Sequence, residues 1–260
     1  ALEPVDMDTF TDEDDTAFIG YFSGTYDLVP DSEYNLRVGY NHYQKEQEDL
    51  TAFNLTGSSG NLSLSRQYGD THYSITYLPA YYWVDGDSFY LQHRLEPGVS
   101  ISPFKQGGME ISYYYSSRKY FRDTRQTGHA HGISIQGNYR FKNPPSILSA
   151  NLDFENFSAS HPSEDFDKFG TQVNYLVPVP LQFNLHTDLA YEIKAYKNRD
   201  FFYNETRRDH RFNFSVALSH NLFTNWLKMR FNYEYLYNDS NIKEYEYIRR
   251  VNSVYITAKF

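Results

Sequence analysis

From about residue 16 to its last residue the chain alternates apolar and polar side chains with a period of two, in segments of roughly 8 to 16 residues. The clearest runs from Leu181 to Ala195, where Leu181, Phe183, Leu185, Leu189, Tyr191 and Ile193 interleave with Gln182, Asn184, His186, Asp188, Glu192 and Lys194. A second runs from Leu227 to Tyr237, with Leu227, Met229, Phe231, Tyr233, Tyr235 and Tyr237 against Lys228, Arg230, Asn232 and Glu234. Phe212, Phe214, Val216 and Leu218 alternate with Arg211, Asn213 and Ser215, and Ile133, Ile135, Tyr139 and Phe141 with Ser134, Gln136, Asn138 and Arg140. Leu148, Leu152 and Phe154 alternate with Asn151, Asp153 and Glu155, and Leu36, Val38 and Tyr40 with Asn35, Arg37 and Asn41. Successive side chains of a strand point to opposite faces, so each segment is a strand with one greasy and one polar face.

This reading predicts strands at about 16–28, 32–45, 50–57, 61–68, 71–83, 87–101, 107–120, 129–142, 145–157, 168–178, 180–196, 208–220, 224–239 and 245–260, fourteen in all. The division at 57–60 (GSSG) is the least regular. Phe53 and Leu55 have the opposite parity to Leu62 and Leu64, and a bulge there would merge two strands. Short turns occur at 28–33, 142–146, 177–180 and 221–226, and long polar connections at 121–132, 158–170, 194–209 and 238–246. Beyond residue 121 short and long alternate, as in outer-membrane barrels, which place short turns on the periplasmic side and long loops outside.

A soluble antiparallel sandwich gives the same alternation. Three features favour a closed antiparallel transmembrane β-barrel of about fourteen strands, within a range of 12–16. The apolar face is rich in Tyr and Phe towards the strand ends, as two interfacial girdles require, whereas soluble cores are dominated by Val, Ile and Leu. The polar face carries both signs of charge in mid-strand, which suits a wet lumen. Arg37, Arg140, Asp153, Glu155, His186, Asp188, Glu192, Lys194, Arg211, Lys228, Arg230 and Glu234 are the expected lining, with Asp188, Glu192 and Lys194 brought towards Arg211 as an ion-paired belt. The chain also ends as a strand, with Val254, Ile256, Ala258 and a terminal Phe260 at alternate positions. That ending resembles the C-terminal assembly signal of bacterial outer-membrane barrels, with Ala258 where an aromatic is usual.

Composition removes several alternatives. Among 260 residues, 18% are aromatic, including 26 Tyr and 20 Phe, and 40% are hydrophobic, too many for a disordered chain. Mean hydropathy is −0.68. The longest charge-free stretch, 169–187, contains Pro178 and Pro180, so no helical membrane span fits. Zero cysteines exclude disulfides and thiolate chemistry, and a formal charge of −9 argues against a nucleic-acid partner. Residues 1–15 hold seven acids and no base and read as an acidic periplasmic leader or linker, with 16–260 as the barrel domain. An even strand count with the C-terminus inside places both termini in the periplasm.

The last 55 residues or so, from Arg207 on, resemble the final strands of a bacterial group in which a periplasmic tetratricopeptide-repeat domain precedes a C-terminal barrel, the surface lipoprotein assembly modifiers being one branch, with a fourteen-stranded barrel. The resemblance is carried by Arg208-Asp209 opening a strand, by Asn238-Asp239-Ser240-Asn241, and by Tyr245, Tyr247 and Arg250. It implies passage of material through the outer membrane, with a periplasmic repeat domain or exported cargo as partner.

Catalytic chemistry has little to stand on. A barrel lipase or acyltransferase needs a Ser and a His at the lipid-side rim, and no G-x-S-x-G elbow occurs. His129 and His131 lie two apart in the 121–132 connection without a third metal ligand nearby, and a polar loop accounts for them. His186 beside Asp188, and the carboxylates Asp153, Glu155, Asp188 and Glu192, are ordinary for a charged wall. No catalytic residue, cofactor or metal is therefore expected. The leading expectation is an outer-membrane channel or export pore for a polymer, a protein or small solutes. A lipid-modifying enzyme and a plugged structural or adhesion barrel are the rivals. The expected partners are outer-membrane lipid, lipopolysaccharide and the barrel assembly machinery.

Overall fold

The computed structural model describes residues 15–29, 33–222 and 226–258. The fold is all-β, with thirteen strands in one antiparallel sheet whose spatial order is the chain order. The strands are β1 (Ala17–Asp27), β2 (Tyr34–Gln47), β3 (Leu55–Tyr68), β4 (Thr71–Val84), β5 (Asp87–Phe104), β6 (Gly107–Tyr120) and β7 (Gly128–Lys142). They continue as β8 (Pro145–Ala159), β9 (Phe166–Val179), β10 (Phe183–Arg199), β11 (Thr206–Asn221), β12 (Leu227–Ser240) and β13 (Tyr247–Ala258). Among the described residues no helix is long and apolar enough to cross a membrane. The expected leader at 1–15 lies outside the described residues except for Asp15, and Phe260 and the middles of the turns at 28–33 and 221–226 lie outside them too.

One expected division is corrected. The segments 50–57 and 61–68 are one strand, β3, and its pairing with β4 keeps a single register from Leu55↔Val84 to Tyr68↔Thr71, with no bulge. The parity change has another cause. Leu55 is apolar on the otherwise polar face, where it packs with Tyr82, Val84 and Tyr90 as a buried cluster flanked by Tyr43, Ala80, Phe89 and Tyr120. A strand with an apolar patch on each face at different heights reads, in sequence, like two strands. β1 and β13 are the ends of the strand order, and a pairing between them is not among those described. An odd number of antiparallel strands also starts β1 at the loop end, where the Glu48 amide donates to the Thr16 carbonyl at 2.9 Å and Asp15 accepts from the Asp49 and Leu50 amides.

The long connections are shorter than the sequence suggested because the strands run on into them. Among the described residues three of them contain a single turn of 3-10 helix, at Thr124–Gln126, Pro162–Glu164 and Lys243–Tyr245, and a fourth such turn, Thr51–Phe53, joins β2 to β3 where a strand was expected. At Thr124–Gln126, Asp123 accepts from the Arg125 backbone amide at 3.2 Å and from its guanidinium, which holds the Asp123 carboxyl below the usual range. The GHAHG run at 128–132 is not loop but the first turn-free stretch of β7.

The chain forms two compact units, each made of strand portions. The first comprises the described residues of Ala1–Ser100 with Ser112–Ile133 and Glu155–Phe166; the second comprises Ile101–Ile111, Ser134–Phe154 and the described residues of Asp167–Phe260.

Candidate functional site: the polar face of the sheet

Residues directly opposed in an antiparallel ladder share a face, so the register assigns faces without ambiguity. In the first unit Arg37, opposed to Asp27 and Ser63, sits on the same face as Asn35, Asn41 and Ser59. Leu36, Val38, Leu62, Leu64, Ile75 and Tyr77 occupy the other. In the second unit Asp188, Glu192 and Lys194 of β10 share a face with Arg211 of β11, and Lys228, Arg230 and Glu234 of β12 continue it. Leu189, Tyr191, Phe212, Phe214, Phe231 and Val254 occupy the opposite face.

The first unit builds the more closely packed part of the polar face. Arg118 of β6 donates through Nη1 to Glu155 Oε1 at 2.9 Å and through Nη2 to Oε2, and the Tyr114 hydroxyl donates to the same Oε2 at 2.9 Å. The Arg94 guanidinium lies 3.7 Å from the centroid of the Tyr114 ring and pairs with Glu96, which also accepts from Ser112 Oγ at 2.7 Å. Tyr114 is 1% exposed and Glu155 2%, so these charges are removed from water and survive by pairing. The opposite strand makes room. A Cβ at Gly132 would fall well inside contact with the Tyr114 ring, and one at Gly128 inside contact with the β8 backbone at Ser158 and Ala159.

The second unit distributes its charges more loosely. Lys168 Nζ of β9 lies 3.9 Å from Asp153 and 3.7 Å from Glu192, bridging two carboxylates. Gln172 donates to Asp188 at 2.7 Å, Arg230 to His186 Nδ1 at 3.2 Å and Arg249 to Glu234 at 3.2 Å. Glu192 is the ladder partner of Arg211, but its carboxylate goes to Lys168, while Arg211 donates to the Tyr247 hydroxyl at 3.2 Å. Lys194 faces Asp209, which is taken by a buried ion pair with Arg207 at 2.8 Å. Lys194 instead lies over the Tyr196 ring. The polar face is therefore ion-paired, with other partners than those expected.

Arg37 pairs with Asp27 at 2.7 Å and Arg140 is exposed near the end of β7. Val254, Ile256 and Ala258 lie on the apolar face opposite Phe231, Met229 and Leu227. The residues that carried the resemblance in the last quarter hold two connections together. Asn241 accepts from the Arg208 amide at 2.6 Å and donates to the Thr206 carbonyl, and Asn238 donates to the Tyr245 carbonyl at 2.7 Å. Arg94, Glu96, Tyr114, Arg118, Lys168 and Arg249 belong to the polar face and were not foreseen. For β6 the reason is the run Tyr113-Tyr114-Tyr115, which is aromatic on both faces and hides the alternation; counting back from Ile111 would have turned Tyr114, Ser116 and Arg118 towards the polar side.

No curated protein matches the chain. Among solved structures it is similar to the crystal structure of Pseudomonas aeruginosa OccK10 (OpdN), at 11% identity over 95% of this chain and 92% of that one, with a TM-score of 0.41. The resemblance to surface lipoprotein assembly modifiers is not among these similarities. A family model described as "Protein of unknown function (DUF2860)" matches residues 104–257, from the last residue of β5 to the penultimate residue of β13. With more than half of its length so matched, the chain belongs to the DUF2860 family.

Proposed function

We propose that this protein closes into a barrel in the bacterial outer membrane and acts there as a channel for small polar solutes. The observation that carries the reading is the division of chemistry between the two faces of the sheet. One face exposes Phe18, Tyr73, Leu95, Ile111, Ile135, Phe154 and Phe231 among many large apolar side chains, while the other holds paired charges. Water disfavours the first face and hydrocarbon the second, and only a sheet with lipid outside and water or packed side chains inside satisfies both. In lipid an unpaired edge leaves backbone groups unsatisfied, so the edges of the sheet must meet one another or a further strand. The connections at 121–127 and 200–205 face outward from the cell on this reading, and the end of β13 faces the periplasm, where the assembly machinery reads Val254, Ile256, Ala258 and Phe260. Refolded into planar bilayers, the protein should give discrete conductance steps, and the unboiled protein should migrate differently from the boiled one. Absence of bilayer insertion overturns the proposal.

A second reading rests on the burial of Tyr114, Ser116 and Glu155. A polar face so completely covered is a plug made of wall side chains, and the barrel would then be structural or adhesive. Insertion without conductance selects it. Export of a polymer or protein, the reading attached to the last quarter of the chain, would require the wider of these alternatives and a periplasmic partner.

A further inference from the structure

The apolar face of the first unit carries a polar feature that a lipid-facing surface does not need for packing. On β6 Ile111, Tyr113 and Tyr115 are exposed while Ser112, Tyr114 and Ser116 are buried, and on β7 His129, His131 and Ile133 are exposed while Gly128, Ala130 and Gly132 are buried. Both histidines thus stand on the face that elsewhere exposes Leu95, Val99, Ile111, Ile133 and Tyr73. Each has its Nδ1 against a tyrosine hydroxyl: Tyr115 at 2.8 Å from His129 and Tyr113 at 2.5 Å from His131. The Tyr115 ring also stacks on His129 with an interplanar angle of 15°. The arrangement recurs within the unit at Tyr77 and His93, at 2.6 Å, and the second unit has its own example in Tyr191 and His210. A phenol donating to Nδ1 leaves the imidazole proton on Nε2, and the imidazolium also carries one there, so in both forms the ring's far edge is a donor.

Beside His129 lies a groove of about 490 Å³ where β6 leaves β7. Its lining includes Lys119, Ser117, Thr124, Thr127 and Ser160 with His129, and contains no carboxylate. Arg118 reaches it too but is committed to Glu155. The Thr127 and Ser160 hydroxyls donate to the Tyr120, Thr124 and Arg125 carbonyls, so the donors offered to a ligand are a lysine, an oriented imidazole and the Ser117 and Thr124 hydroxyls, the set that a phosphate monoester takes. Within the same unit the apolar face continues as Leu95, Val99 and Ile133, on which acyl chains can lie.

We infer that this corner of the first unit binds the phosphorylated headgroup of an outer-leaflet glycolipid, with Lys119 and His129 on the phosphate and Tyr115 as the positioning residue that aims His129. The inference rests on the membrane placement proposed above. Protein folded into phosphatidylcholine vesicles doped with a phosphorylated glucosamine-disaccharide lipid, or with its dephosphorylated form, is extracted, and the lipid retained is counted by native mass spectrometry. The phosphorylated lipid should be retained about tenfold over the other, the worth of one charge-assisted contact. Lys119→Ala combined with His129→Ala should abolish that preference, and Tyr115→Phe should reduce it, with heat-shifted gel migration unchanged in both. Equal retention of the two lipids, or full preference in the double variant, overturns the inference while leaving the barrel intact. Displacement of the lipid by an excess of inorganic phosphate alone would identify a free-anion site and overturn it too. Failure to insert into vesicles removes the membrane reading and this inference with it.

Discussion

Replacing Arg118 with methionine keeps most of the side-chain volume and deletes the charge that neutralises Glu155. The Glu155 carboxylate, 2% exposed, then loses the guanidinium that donates to both of its oxygens and keeps the Tyr114 hydroxyl. Opposite charges about 4 Å apart interact by about 4 kcal/mol at an effective dielectric near 20, and removing one member of a buried pair costs about 3–5 kcal/mol. At about 2 °C per kcal/mol for a chain of this length, the unfolding midpoint should fall by about 6–10 °C. Adding Glu155→Gln removes the stranded charge and should restore most of the loss, because the buried amide is far cheaper to desolvate than the carboxylate. The measurement is the fraction of folded, fast- or slow-migrating species on unboiled gels across a temperature series, checked by loss of the sheet circular-dichroism signal in detergent. A single variant within about 1 kcal/mol of the parent, or a double variant no more stable than the single, would refute the view that burial makes this pair interdependent.

Arg230→Ala, which removes the donor to His186 from the polar face, should lower the midpoint and alter conductance, whereas Met229→Leu on the apolar face should change neither by a measurable amount; equal behaviour would mean that the faces of β12 are misassigned. In this cysteine-free chain Glu205→Cys should react with an impermeant thiol reagent on intact cells and Asp70→Cys only after permeabilisation, since the connections at 200–205 and 69–70 fall at opposite ends of their strands; the reverse pattern inverts the proposed orientation. The Asp123 carboxyl is held below its ordinary range chiefly by the Arg125 side chain, so its contribution to the 124–126 turn is complete above the unfolded value near 4 and fades as pH falls through the lower folded value. Hydrogen exchange at the Arg125 amide should accelerate only in that acid window, and acceleration between pH 5 and 7 would contradict it.

Strand positions were legible because alternation survives wherever the apolar face is uniformly apolar, as in Asn184 to Ala195 and Leu227 to Tyr237, where residues of one parity share a face in the register; Leu181 and Gln182, which continue the pattern in sequence, lie before β10 in a turn with positive φ. It failed where a strand breaks the rule for local reasons. Leu55 is apolar on the polar face because it completes a cluster with Tyr82 and Val84, and the reading split β3 in consequence. Gly128 and Gly132 resemble loop residues, yet Gly132 lacks room for a side chain because the Tyr114 ring of β6 lies against it, and Gly128 because the β8 backbone at Ser158 and Ala159 does. Individual charge partners were less legible still. Ladder opposition puts Glu192 beside Arg211, but a lysine has the reach to take a carboxylate from a neighbouring strand, as Lys168 does from β9. Side-chain length and direction, which alternation does not encode, decide such contests.

A strand order identical to the chain order has a consequence for how the molecule comes into being. Each strand needs only its immediate predecessor in the chain as a template, so pairing can advance one hairpin at a time with short loops to close at every step. Only the final join of first to last that a barrel demands is remote in sequence, and it alone must wait for the whole chain. A fold grown in this way can also gain or lose a hairpin without disturbing the registers of the others, which makes the two-strand hairpin, rather than the strand or the sheet, its natural unit of inheritance.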